Sequence, residues 1–298
     1  MLFYARGGII TQISRSARRR KEVVSVKRAV SLLLIAALLC GCLAACGGTE
    51  AAKGELTVFA AASLTETLTE LGKRFEAAHS GVKVVFNFES SGKLMDQIVA
   101  GADCDLFISA APKQMNLLDA AQDAEKNPER QDFIDSATRL DLLENKVALA
   151  VPEGNPREVR SFADLAKRLE ADGLLLAMGG EGVPVGQYTQ KIFAFFGLDE
   201  AALAAAGRLS YGENVKAVTT QVSEKLADCG IIYQTDACSA GLTVVDTATQ
   251  EMCGRVVYPA ALLKGAKNAA LARDFLAFLQ TDEAGEVFRA VGFTPLAP

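Results

Sequence analysis

The chain has 298 residues, 50% of them hydrophobic and 22% charged, with 31 basic and 36 acidic residues and a net charge of −5. That is globular composition with room for two ordinary domains, and it excludes a low-complexity or disordered chain. One histidine, His79 at a helix end, and no Cys-x-x-Cys spacing argue against a zinc site and against Ser–His–Asp or Cys–His catalysis.

Residues 1–45 stand apart. They hold eight of the basic residues and one acid, Glu22, and end in the apolar run "AVSLLLIAALLCGCLAA" (29–45). A basic head, an apolar middle and small residues at the end predict a secretory signal, too short for a membrane span. An internal start codon near Val23–Val26 fits the same reading. The run closes with "LAAC", Leu43 to Cys46, followed by Gly47 and Gly48. This resembles the bacterial lipoprotein box, which implies that Cys46 is the lipidated mature N-terminus; Cys42 is the weaker alternative. Two acyl chains on Cys46 suit stable anchoring to a membrane. Without residues 1–45 the charge is about −12. That excess argues against nucleic acid and anionic membrane surfaces as partners. It also means that any bound anion has to be held by local groups, against the global field. Four cysteines follow Cys46, namely Cys104, Cys229, Cys238 and Cys253, and outside the cytoplasm pairing of Cys229 with Cys238, or of Cys238 with Cys253, is expected.

The remainder alternates strand and helix patterns. "LTVFAA" (56–61) is an apolar, β-branched run, followed at helical spacing by Leu64, Leu68, Leu71 and Phe75. "VKVVFNF" (82–88) is a strand, "GKLMDQIVAGA" (92–102) a helix, "DLFISA" (105–110) a strand, and Pro112 opens a further helix. A second series begins at "KVALAVP" (146–152). The helix "SFADLAKRL", the strand "LLLAMG" (174–179), the helices "GQYTQKIFAFFG" and "ENVKAVTTQVSEKLA", and the strand "GIIY" (230–233) follow. After "LTVVD" and "GRVVYPAALL" the chain ends in two helices. Repeated βα units predict an α/β fold of two lobes, each a mainly parallel sheet flanked by helices, with a cleft between. The expected division is a signal over 1–45, a linker over 46–54, lobe 1 over 55–143, lobe 2 over 144–254, and a return to lobe 1 over 255–298.

Open parallel sheets bind ligands beyond their carboxyl strand ends. Five such ends carry groups suited to an anion. Ser63 in "FAAASLTETL", and Ser90 and Ser91 in "FESSGKLMDQI", lie between a strand and a helix. Val185–Gly186 follow the Gly-rich turn in "GGEGVPVGQY", Glu213, Asn214 and Val215 open the helix of "ENVKAV", and Tyr233 ends "GIIY". Each has a plain reading as a cap, a turn or a core phenol. Together they put helix starts and one phenol at a single cleft.

These stretches, with "DLFISA", resemble the periplasmic molybdate-binding proteins of ABC importers, in order from Leu56 to Phe293. The resemblance implies the type II periplasmic-binding-protein fold and a non-enzymatic protein with no cofactor or metal besides its cargo. It implies a tetrahedral oxyanion, molybdate or tungstate, held by the hydroxyls of Ser63, Ser91 and Tyr233 and the N–H groups of Val185 and Val215. It implies a monomer, lipid-anchored on the extracytoplasmic face, that delivers to a membrane permease. Three departures stand out: Val185 for the common Ala, Gly92–Lys93 for a Ser/Thr-rich continuation, and Cys104 for a small residue or Pro. Lys93 is expected to face water. Sulfate is the nearest alternative cargo. Phosphate keeps a proton at neutral pH and needs an acceptor, for which Glu89 and Glu213 are the candidates. An enzyme or a non-transport sensor on the same scaffold are the alternatives of other classes.

Overall fold

In a computed structural model, residues 54–296 are described. The expected signal, the lipidation site Cys46 and most of the linker lie outside them.

The first lobe is built on β1 (Gly54–Ala61), whose Leu56, Val58 and Ala60 are fully buried, and on β2 (Val82–Glu89), parallel to it. Between them runs α1 (Thr65–Ala78). Its Leu68, Leu71 and Phe75 recur every three or four residues and so share the buried face. α2 (Ser91–Val99) follows, capped by Ser90, whose Oγ accepts the Lys93 N–H; then come β3 (Leu106–Ile108) and α3 (Pro112–Leu117). β4 (Leu140–Asn145) closes this part of the chain.

The second lobe begins two residues later with β5 (Val147–Val151), buried throughout, and α4 (Phe162–Ala171). β6 (Leu176–Gly179) leads into α5 (Pro184–Phe196), which starts at a proline that needs no N–H partner and ends at Gly197, φ 72°. α6 (Glu200–Ala205), β7 (Leu209–Gly212), α7 (Val215–Ser223), β8 (Cys229–Tyr233), α8 (Gln234–Ser239), β9 (Thr243–Thr247) and α9 (Gln250–Cys253) complete it. The chain re-enters the first lobe with β10 (Val256–Leu262), α10 (Ala269–Phe278), α11 (Asp282–Ala290) and β11 (Thr294–Pro295).

Both sheets are mixed. The first has six strands, ordered β11-β4-β10-β3-β1-β2, and the second five, ordered β7-β6-β8-β5-β9. Parallel pairing holds where βα units repeat, β2-β1-β3 and β7-β6-β8. The strands on either side of the lobe crossings, β4, β5, β9 and β10, pair antiparallel. A chain that leaves one sheet and returns enters it from the opposite side, so the crossing strands run against their neighbours. β10 lies centrally despite Pro259. The register slips between Tyr258 and Pro259, which accommodates a residue with no ladder N–H.

The expected disulfides do not form. Cys104, Cys229, Cys238 and Cys253 are all free thiols. Cys229 opens β8 and is buried, whereas Cys238 lies exposed in α8, past that strand's far end. Cys238 is exposed while Cys253 is buried, its Sγ directed at the Thr249 and Gly254 carbonyls. Burial pushes the Cys229 thiol up to about 12, so it stays protonated and unreactive at neutral pH.

Candidate ligand-binding site

A small cavity between the lobes is lined by Ala61, Ala62, Ser63, Glu89, Ser90, Ser91, Ala110, Val183, Pro184, Val185, Val215 and Tyr233. All five residues singled out in the sequence line it. The space is about 10 Å³, roughly the room of one water-sized group.

Local chemistry explains each position. Ser63 sits in a single 3-10 turn, Ala62–Leu64, between β1 and α1, and is buried. Ser91 is the first residue of α2 and fully buried; its Oγ accepts the Ala110 N–H at 3.0 Å. With a lone pair taken by an N–H, the Ser91 proton is free for the cavity. This contact is why "DLFISA" belongs beside the serines: the end of β3 orients a hydroxyl on α2. Val185 is the second residue of α5 and Val215 the first of α7, so neither N–H has an intrahelical acceptor. Asn214 caps α7 by accepting the Ala217 N–H at 3.0 Å, which leaves the Val215 N–H to the cleft. Gly186, in the first turn of α5, packs where a Cβ would lie 2.3 Å from the Gly179 carbonyl oxygen, so that turn tolerates no side chain there.

Tyr233 ends β8 with its ring fully buried, 5.7 Å from the Tyr258 ring and 6.3 Å from that of Tyr188. Its Oη is one of the few buried side-chain polar atoms among the described residues with no protein partner. Burying a hydroxyl without a hydrogen bond costs on the order of 1–3 kcal/mol, so such an atom marks a place where something else binds. Burial also holds the phenol well above its ordinary pKa, so it remains a donor.

The acceptors considered for a protonated ligand are engaged. Glu89 Oε1 accepts the Ser90 N–H and the Asn214 amide, both at 2.8 Å, and Oε2 accepts Lys93 Nζ at 3.3 Å. Burial pushes its carboxyl up, but the Asn214, Ser90 and Lys93 donors outweigh that and hold it below the usual range. Glu213 takes Lys93 Nζ at 2.7 Å. Lys93 therefore does not simply face water: it bridges the lobes, since Glu213 precedes α7 in the second lobe. On the other flank Lys216 of α7 reaches Glu66 of α1 at 2.8 Å and the buried Asp236 at 3.0 Å. Between these pairs the Gly92 N–H donates to the Gly182 carbonyl, 3.1 Å away and again across the cleft. The lobes are in contact, with the cavity between them.

Sequence reasoning missed Tyr258 and Asn145. Tyr258 Oη lies 2.9 Å from Ser63 Oγ, and Asn145 Nδ2 lies 3.2 Å from Tyr258 Oη. A tyrosine within the apolar run of β10 and an asparagine ending β4 were the available signals, because buried tyrosines need a partner.

The family described as bacterial extracellular solute-binding protein matches residues 56–294. The Bacillus subtilis protein named "Putative ABC transporter substrate-binding lipoprotein YvgL" is 33% identical over 278 residues, 92% of this chain and 98% of its own length. The molybdate-binding protein ModA of Escherichia coli is 35% identical over 256 residues, 84% of this chain and 93% of its own length. Among solved structures, the periplasmic molybdate-binding protein of Azotobacter vinelandii superposes with a TM-score of 0.67 at 23% identity, covering 80% of this chain and 98% of that one. That likeness shows a shared fold, the two-lobed periplasmic-binding-protein fold of type II.

Proposed function

The chain belongs to the bacterial extracellular solute-binding proteins, in the group of the molybdate-binding relatives, and we propose that it captures molybdate, and tungstate with it, for an ABC importer. The reading is carried by the partnerless Tyr233 Oη facing a cavity lined by serine hydroxyls and helix starts, with Glu89 turned to its own donors Ser90, Asn214 and Lys93. Molybdate is a dianion without a proton at neutral pH, so it wants donors and no acceptor. The hydroxyls of Ser63, Ser91 and Tyr233 and the N–H groups of Val185 and Val215 supply donors alone. The N-termini of α2, α5 and α7 add partial positive charge at short range, where distant screened carboxylates count for little. No Lys or Arg lines the cavity, which leaves the anion releasable. The lobes close over the cargo by hinge motion, and the closed form docks on the permease. The protein acts as a monomer and carries no cofactor or resident metal.

Hydrogen phosphate is disfavoured, since Glu89 and Glu213 are turned to Lys93, and Glu89 also to the Ser90 and Asn214 donors. Sulfate shares charge and shape, so only cavity size separates it from the larger molybdate. A thermal-shift series decides. Binding to the native state alone stabilises by about 2.7 kcal/mol at a hundredfold excess over Kd. Molybdate and tungstate raise the melting temperature and sulfate does little; equal shifts with sulfate replace the molybdate reading by a sulfate one.

The protein is held on the outer face of the membrane by diacylation of Cys46. Labelled-lipid incorporation is lost in Cys46→Ser; normal processing and lipidation of that variant removes the anchor assignment.

A further inference from the structure

A serine hydroxyl can turn, so a site built on serines donates only if something fixes the protons. Ser91 is fixed by the Ala110 backbone N–H. Ser63 has no backbone donor of that kind; its partner is a phenol that could itself donate or accept.

The ambiguity is resolved one residue further on. Asn145 Oδ1 accepts the Lys146 N–H at 2.8 Å, which fixes the amide's orientation. Its Nδ2 then faces Thr235 Oγ1 at 2.9 Å and Tyr258 Oη at 3.2 Å. An amide nitrogen only donates. Tyr258 Oη therefore accepts from Asn145 and gives its own proton to Ser63 Oγ, 2.9 Å away. With that lone pair taken, the Ser63 proton is left for the cavity that it lines. All three groups are buried, so water does not scramble the order.

Resting on the oxyanion reading, we propose that Asn145 and Tyr258 are positioning residues that order the Ser63 proton toward the ligand and so bar oxyanions that carry a proton of their own. A hydrogen phosphate needs one acceptor. Ser90 and Ser91 each accept a backbone N–H, Glu89 Oε1 already accepts two donors and Oε2 faces Lys93, and Tyr233 Oη could accept only by leaving its own proton unpaired in a buried place. Among the lining serines, Ser63 is the one whose hydroxyl accepts no backbone N–H, and the relay holds it. Asn145 is also the last residue of β4, where the chain crosses between lobes, and Thr235 follows Tyr233 by two residues. The same amide thus touches the supports of donors in both lobes.

Titration calorimetry with molybdate, tungstate, sulfate and hydrogen phosphate tests this on the parent, Tyr258→Phe, Ser63→Ala, their double variant and Asn145→Asp, each checked for a cooperative melt. Tyr258→Phe keeps the ring and frees Ser63, weakening molybdate binding about tenfold. In the Ser63→Ala background it weakens binding no further, because it acts through that serine. Asn145→Asp keeps the Lys146 contact but accepts from Tyr258, reversing the relay. The preference for molybdate over hydrogen phosphate then falls by about tenfold or more. The relay is overturned if Tyr258→Phe binds as tightly as the parent, if its loss persists in full without Ser63, or if Asn145→Asp leaves the preference unchanged. Should Asn145→Asp not fold, the Tyr258 and Ser63 cycle decides alone. A parent that binds none of the four anions overturns the oxyanion reading, and the relay with it; a parent that binds one while the variants behave like it overturns the relay alone.

Discussion

The floor of the cleft and its rim join the same two lobes with different materials. The floor offers hydroxyls, backbone N–H groups and a phenol, all neutral and buried. The rim closes with charges, Lys93 to Glu213 on one flank and Lys216 to Glu66 on the other, on half-exposed side chains. Neutral donors hold an anion through direction and short range, which salt barely screens. Exposed ion pairs are individually weak and screened, so they bias closure without deciding what is bound. The two sets therefore answer to different perturbations, and each can be disturbed alone.

The largest effect is expected where floor and rim meet. A Cβ at Gly92 would lie 2.4 Å from the Gly182 carbonyl oxygen, on the opposite lobe. Gly92→Ala props the cleft open and separates the donors of one lobe from the ligand. Losing two charge-assisted hydrogen bonds weakens molybdate binding by about a hundredfold or more, with little change in the melt of the ligand-free protein. Tyr233→Phe comes next. It deletes one floor donor, keeps the packed ring and weakens binding about ten- to a hundredfold, while Val215→Ala, which keeps its N–H, costs much less. Calorimetry on these three variants ranks them, and equal losses for Tyr233→Phe and Val215→Ala would make Tyr233 a core residue only.

That the strand ends and helix starts holding Ser63, Ser91, Val185, Val215 and Tyr233 were legible in the sequence has a local cause, and the resemblance to the molybdate-binding proteins narrowed them to these five. Each is a strand end or a helix start, and those patterns are written in a few neighbouring residues. The supports were not legible because they are distant in sequence. Tyr258 is 195 positions from Ser63, Glu213 is 120 from Lys93, and Lys216 is 150 from Glu66. The antiparallel pairs escaped for the same reason: the direction of a strand depends on where the chain re-enters the sheet. Strands such as β7 and β11, of four and two residues, carry too few positions for an alternation to show. The disulfide expectation failed because compartment and spacing say nothing of which end of a strand a thiol occupies.

Asp236 lies beneath the rim, fully buried beside Lys216. Burial pushes its carboxyl up to about 6, with Lys216 opposing. A carboxyl raised above its unfolded value binds protons more tightly when folded, so its contribution to stability grows as pH falls from about 6 toward 4 and is absent above that window. Glu89, held below its ordinary 4.5, acts in the opposite direction, its contribution being lost only at lower pH. The melting temperature of the ligand-free protein therefore rises between pH 7 and pH 5, on the order of 2 °C, about what 1 kcal/mol makes in a domain of this size. Asp236→Asn flattens that dependence in melts across pH; an unchanged slope assigns it to other groups.

The rim gives the smallest effect. Glu213→Gln removes one exposed pair, worth about 0.2–1 kcal/mol, so binding weakens less than about fivefold. The difference from the parent vanishes at high salt, whereas that of Tyr233→Phe persists. Titrations at low and high salt separate the two, and a salt-sensitive Tyr233→Phe deficit would erase the distinction between floor and rim.

The most direct measurement is anomalous diffraction at the molybdenum edge from crystals of the protein grown with molybdate. The expected result is one peak in the cavity, with oxyanion oxygens within hydrogen-bond distance of Ser63 Oγ, Ser91 Oγ, the Val185 and Val215 nitrogens and Tyr233 Oη, and no carboxylate or ammonium group in contact. A peak outside the cleft, or an anion held by Lys93 or Lys216 while Tyr233 Oη stays without a partner, would contradict the account.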